Sequence, residues 1–428
     1  MTLQLLPEPV ADGPGNTAGE PAAPARRASP GSARFARVVG SNAFGAALMA
    51  AALYSYQRGA ITVVQDWGRP FFSIDYSSGP IKRGLVGQVA GLLIDRGDEE
   101  AMTRAILGAH LVLAGLLIHL LIEAARSIGR AGSHQRAAVN CVLVLLIGSQ
   151  LLPTTAYNTG YFDVYIFVVY AVLALVIPAD RPIWASAVAS VGLLIHEVSL
   201  FFFLSFVVLS ATRAAGRGEL SRALALRLLA LPGLTALLLY ALHSNSAAAT
   251  EVEQTAAADE IKAALINVQF GQTLPSALKG MARHWTLNTG NGVVATLYYT
   301  LPALVMLALY WAWRQPGRRA TLALLASSFT PLLILTIAWD LSRFLVTAQL
   351  TTAVSILYWE RHRLPALLGS TSRPLRWAPL PRLLPAVVPL AVALLAFPLT
   401  YSYFEVTYLI RGDLTPAQLD DLTLRLLN

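Results

Sequence analysis

The chain has 428 residues, of which 55% are hydrophobic and only 13% charged, and its formal net charge is +8. Soluble domains carry about 25% charged residues, so the composition points away from a soluble globular protein. The basic residues are scattered over short loops rather than massed on one face, which argues for membrane topology signals and against a nucleic-acid partner.

Residues 1–37 begin with a Pro-, Ala- and Gly-rich stretch and hold no apolar run, so they are expected to form a disordered cytoplasmic tail. No cleavable signal precedes the first span, which is expected to act as its own insertion signal. Eleven apolar segments follow, at 38–57, 102–125, 137–153, 160–178, 183–195, 198–212, 222–243, 292–313, 320–338, 342–358 and 383–405. Runs of this length and composition are candidate membrane spans. A backbone in hydrocarbon must satisfy its own hydrogen bonds, and the alternating polarity of barrel strands is missing. The expectation is therefore an all-α, polytopic transmembrane helical bundle of about 11 helices over 38–410, with a short outer tail at 411–428. No internal repeat stands out. The single cysteine, Cys141, lies in an apolar run; it cannot form an intramolecular disulfide and reads as an inert, buried thiol.

Lysine and arginine in the loops set the orientation. With the N-terminus inside and the C-terminus outside, 20 of the 32 basic residues fall on the inner side. That count requires residues 183–211 to be two short helices turning at His196-Glu197; a single tilted helix would lower it to 14. Thirteen residues of helix rise only about 20 Å against about 30 Å of hydrocarbon, so the turn is expected below the outer surface. The outer loops are then 58–101 and 244–291.

The polar residues that are costly in this setting gather toward the outer side. In the first outer loop, Asp75 stands in a turn-rich stretch shortly before Lys82 and Arg83. Apolar residues Ile81, Leu85, Val86, Val89, Leu92 and Leu93 then recur at helical spacing, as in an amphipathic interfacial helix. Paired cations at a helix start attract anions, and a nearby carboxylate suits proton removal beside a phosphate leaving group. Equally, Lys82 and Arg83 can snorkel to lipid headgroups while Asp75 caps or pairs with them. His196-Glu197 interrupts two apolar runs; an intramembrane carboxylate costs about 2.5–3.5 kcal/mol on insertion scales and marks either a functional group or a cap for the second half-helix. Asp163, at the outer end of the fourth span, suits either a site or the helix dipole. Asp340 and Arg343, three residues apart, are spaced to pair on one helical turn. Trp285, after Arg283-His284 and before Asn288-Thr289-Gly290-Asn291, reads as an interface anchor ahead of a sugar-stacking platform. His110 and His119 on their apolar helix read as satisfied core histidines. No P-loop, HExxH, CxxC pair or GxSxG element occurs.

The segment Gly192-Leu193-Leu194-Ile195-His196-Glu197-Val198-Ser199-Leu200-Phe201-Phe202-Phe203-Leu204 resembles the broken-helix segment of the C-type (GT-C) membrane glycosyltransferases, with His196 where lysine is common. The Asp-bearing first outer loop with its interfacial helix is similar as well, over about residues 38–360. The resemblance implies a GT-C-like bundle in a bacterial cytoplasmic (inner) membrane that moves a sugar from a polyprenyl-phosphate donor to an acceptor glycan, lipid or protein at the outer face. It implies Asp75 as base or as ligand of a divalent metal ion, and Lys82, Arg83 and Arg343 as phosphate ligands. Asp163 and Glu197 would then hold acceptor or sugar, with His196 and Asp340 completing the substrate-binding set. No ligand spacing requires the metal. Two other readings fit the same residues: a polymerase or ligase of lipid-linked polysaccharide, and a secondary transporter or lipid flippase, which would instead need a polar route through the bilayer.

Overall fold

The structure, a computed structural model, describes residues 42–59, 72, 76, 83–95, 98–129, 133–178, 181–216, 229–236, 289–314, 316–336 and 341–362. Twelve helices are set out here in chain order. They are α1 (Asn42–Gly59), α2 (Gly84–Leu93), α3 (Glu99–Gly129), α4 (Ser133–Gly148), α5 (Leu151–Tyr157), α6 (Asp163–Ala171), α7 (Pro182–Ile195), α8 (Ser199–Gly216), α9 (Thr289–Arg314), α10 (Arg318–Phe329), α11 (Leu341–Leu345) and α12 (Thr347–His362). A π-helical turn, Val172–Val176, extends α6, and a 3-10 segment, Thr330–Thr336, extends α10. Among the described residues the protein is all-α, with a lone bridge between Thr159 and Tyr161 in place of any strand.

Among the described residues, three helices are long and apolar enough to cross a membrane: Glu99–Ile128, Thr296–Arg314 and Arg318–Leu335. A fourth forms if Val139–Gly148 and Leu151–Tyr157, bent by 40° at their junction, count as one span. The sequence places one continuous span at 137–153; the chain instead breaks at Ser149-Gln150. Ser149 Oγ turns back onto Leu146 O at 2.6 Å and also receives Leu151 N–H at 3.3 Å. Such side-chain bonds compete with the helical ladder and let it bend. The predicted span 342–358 is likewise two pieces, α11 and α12, parted at Val346. The predicted spans 222–243 and 383–405 lie largely or wholly outside the described residues.

α7 ends where the sequence places the break. His196 is extended, with φ −164° and ψ 136°, and α8 starts at Ser199. The chain then doubles back. Ser199 Oγ donates to Gly192 O at 2.7 Å, and Ala189 shares a small cavity wall with Phe202 and Phe203. Gly192 permits this approach, since a Cβ there would lie 3.1–3.2 Å from Val169 and Ser199.

α12 is the centre of the bundle. Every residue from Thr347 to Glu360 is buried, and the helix packs on α3, α4, α8, α9 and α10. Its sequence explains the position: Thr347, Gln349, Thr351, Thr352, Ser355 and Glu360 interrupt the apolar residues all round, which is tolerable only against protein partners. Thr351 Oγ1 donates to Ser328 O at 2.6 Å and Gln349 Nε2 to Tyr299 O at 2.7 Å. Ser327 Oγ bonds Ser355 Oγ at 3.0 Å, and Ser205 Oγ donates to Ser327 O at 2.6 Å. At the α9 end, Glu360 Oε1 accepts from Tyr310 Oη at 2.9 Å and from Arg314 Nε at 2.8 Å.

Candidate functional site

The site is built around Tyr161-Phe162-Asp163, the approach to α6. Asn158 caps α5, Tyr161 N–H donates to Asn158 O at 3.0 Å, and Gly160 takes φ 104°, a left-handed conformation open to glycine. This turn puts Asp163 in the first turn of α6, where the free N–H groups favour a carboxylate. Phe162 is fully buried and stacks edge-on against Phe72 at 5.4 Å and Tyr165 at 5.6 Å. It also meets the His196 ring at 6.4 Å and 86°. Phe72, Ile106, Tyr161, Phe162 and Ile195 form one apolar cluster, with Tyr76, Leu85 and Val86 packed against it. Phe72 and Tyr76, the start of α2, the α5–α6 turn and the α7–α8 break therefore meet at one place.

Two ion pairs flank this cluster. Arg343 grips Asp163 with both arms, Nε to Oδ2 at 2.5 Å and a terminal nitrogen to Oδ1 at 2.6 Å. Its guanidinium also lies over the Tyr161 ring at 4.4 Å. Both side chains are about nine-tenths buried. A planar fork that binds bidentately and stacks is what arginine supplies and lysine does not. The second pair joins Arg83 to Glu197: Nε donates to Oε2 at 2.9 Å and a terminal nitrogen to Oε1. Arg83 is buried, whereas Glu197 is 42% exposed, so this pair opens to one side. His196 Nδ1 lies 3.3 Å from Glu197 Oε2 and accepts Val198 N–H at 3.2 Å.

Arg83 sits in the left-handed region, φ 65°, immediately before α2. A side chain there is strained by about 1–2 kcal/mol, and such strain persists where the surroundings fix it. The surroundings are the Glu197 pair on one side and Tyr76 on the other. Tyr76 N–H donates to Gln88 Oε1 at 3.1 Å, and its ring covers Gly84 so closely that a Cβ would stand 2.6 Å from Cε1. Burial raises the Tyr76 phenol above its ordinary range. α2 forms where the sequence expects a helix: Gly84 and Gly87 face the protein beside α7, while Val89, Leu92 and Leu93 are exposed.

The structure thus brings Arg83, Asp163, His196, Glu197 and Arg343 together. Asp75, Lys82 and Asp340 lie outside the described residues, as does Trp285. Arg343 is held by Asp163, 180 positions away, a partner the sequence did not offer; Asp340, the neighbour spaced to pair with it, lies outside the described residues. Arg83 is engaged by Glu197, while Asp75, beside which it is expected to work, lies outside the described residues. Among the described residues no three His, Cys, Asp or Glu side chains come together as a metal site, and Asp163 and Glu197 are each occupied by an arginine. His110, read as a satisfied core histidine, is only half so: Nε2 bonds Thr155 O at 2.9 Å, whereas Nδ1 is buried without a partner. The Glu360–Arg314–Tyr310 cluster went unnoticed in the sequence, although a carboxylate beside Arg361 and Arg363 was a usable signal. Comparison of the chain with protein-family models, curated proteins and solved structures finds no match.

Proposed function

We propose that the chain is a GT-C-like membrane glycosyltransferase of about 11 spans, N-terminus inside and C-terminus outside, that moves a sugar from a polyprenyl-phosphate donor to an acceptor at the outer face of the cytoplasmic membrane. One observation carries this reading: Arg83, with Glu197 open beside it, stands at the start of a helix whose Val89, Leu92 and Leu93 are uncovered. A cation at the edge of an apolar surface suits a ligand that is phosphate at one end and hydrocarbon at the other. In the reaction, an acceptor hydroxyl oxygen bonds to the anomeric carbon. The bond from that carbon to the phosphate oxygen breaks, its electron pair leaves with the polyprenyl phosphate, and the configuration inverts. Asp75 takes the hydroxyl proton, while Lys82 and Arg83 stabilise the departing phosphate. Arg343, locked to Asp163, and Asp340 complete the substrate-binding set. His196 orients Glu197 toward the sugar or acceptor.

The test is Asp75→Asn in proteoliposomes supplied with polyprenyl-phosphate-linked sugars. Turnover should fall at least 100-fold; full activity removes Asp75 as the base. A transporter remains the second reading, because buried polar groups continue along α12 from Gln349 through Ser355 to Glu360. These groups are bonded to neighbouring helices rather than lining a path, which favours their role as interhelical contacts. Counterflow of labelled sugar across the same proteoliposomes separates the two.

A further inference from the structure

The two partners of the Arg83–Glu197 pair are held differently. Arg83 is buried and its backbone is pinned. Its left-handed φ of 65° is enclosed by the Tyr76 ring over Gly84, and Leu85 and Val86, just beyond, pack on the cluster around Phe162. Glu197 lies in the turn between α7 and α8, and its side chain is 42% exposed. Rotation about its own side-chain bonds carries the carboxylate away from Arg83 with no change in the backbone. A second contact is at hand, since His196 Nδ1 stands 3.3 Å from Glu197 Oε2.

The fork of a guanidinium grips a carboxylate and a phosphate in the same bidentate way. Here Nε donates to Oε2 at 2.9 Å and a terminal nitrogen to Oε1. The carboxylate thus fills a seat that is shaped for an anion and open on one side. We propose that Glu197 is a built-in stand-in for the lipid phosphate: it holds Arg83 between turnovers, yields it to the phosphate, and takes it back as the product leaves. This rests on the function proposed above and adds the exchange that controls its phosphate seat. Charge gives the exchange a direction. The phosphodiester of a sugar donor carries a single negative charge, as a carboxylate does, whereas the freed polyprenyl phosphate, a monoester, carries about 1.5–2 at pH 7. Arg83 therefore passes to the phosphate as the bond to the sugar breaks, which favours the transition state over the bound donor. Without a competitor, the same charge would hold the product in place.

The probe is farnesyl phosphate, titrated onto the full chain in phosphatidylcholine nanodiscs, whose headgroups carry no net charge. Glu197→Gln should bind it about tenfold more tightly than the wild type, the gain when a seat free in about one molecule in ten becomes free in all. Arg83→Gln should lose the binding, and Arg83→Gln with Glu197→Gln should match Arg83→Gln alone, because the competitor acts only through the guanidinium. If Glu197→Gln does not fold, the wild type decides: farnesyl phosphate should speed the reaction of the Glu197 side chain with a carboxyl-directed reagent severalfold, read by mass spectrometry. Unchanged or weaker binding by folded Glu197→Gln overturns the stand-in and leaves the proposed function standing. Unchanged or slowed modification of Glu197 in the lipid-saturated wild type does the same, as does binding retained by Arg83→Gln. If neither the wild type nor Glu197→Gln binds farnesyl phosphate, the proposed function fails and the stand-in with it.

Discussion

Arg343→Met tests whether the Asp163–Arg343 pair is as desolvated as its geometry implies. Both side chains are about 90% buried, and two direct bonds join them. Removing one partner of such a pair leaves a buried charge and costs about 3–5 kcal/mol. A neutral hydrogen bond between membrane helices averages only about 0.6 kcal/mol, so the two cases are well separated. Arg343→Lys keeps the charge but loses the second arm and the stack on Tyr161, and should fall between, at about 1–2 kcal/mol. Asp163→Leu with Arg343→Met removes both charges and should recover most of the loss, since apolar replacement of a whole buried pair is often neutral. The assay is denaturant unfolding of the purified protein in mixed micelles, read as a double-mutant cycle. A coupling energy below about 0.5 kcal/mol would refute the argument, because it would show both groups already well hydrated.

Gly84→Ala should displace the Tyr76 ring and weaken the start of α2 by about 1–3 kcal/mol, seen as faster proteolysis of the first outer loop; a neutral result would show that the ring yields freely. Cys141 is 3% exposed, so maleimide should label it only after unfolding, and rapid labelling of the native protein contradicts its place in the core. With Cys141→Ser as background, Arg217→Cys should react with membrane-impermeant reagents only from the inner side; outer labelling removes the orientation on which the site depends.

The break at His196-Glu197 was legible because a charged dipeptide inside an apolar run has few places to go. A short helix on each side then follows from length alone. The two faces of α2 were legible for a similar reason, since amphipathic spacing is a local signal. The partners of Arg83 and Arg343 were not. Local spacing offered Asp75 and Asp340, which lie outside the described residues, and gave no sign of Glu197 and Asp163, which packing delivers from 114 and 180 positions away. The kink at Ser149-Gln150 depends on one hydroxyl choosing a carbonyl over solvent, which hydropathy does not register. His110 misled differently: an isolated histidine in an apolar helix implies one satisfied nitrogen but says nothing of the other.

α12 is enclosed on all sides, yet it leaves the ribosome after α3, α4, α8, α9 and α10, all of which it touches. During synthesis those helices must stand around an unfilled slot with serine and threonine hydroxyls and the Arg314 guanidinium turned inward. Assembly is therefore completed by a late insertion, in which a weakly apolar segment enters because the slot, rather than lipid, receives it.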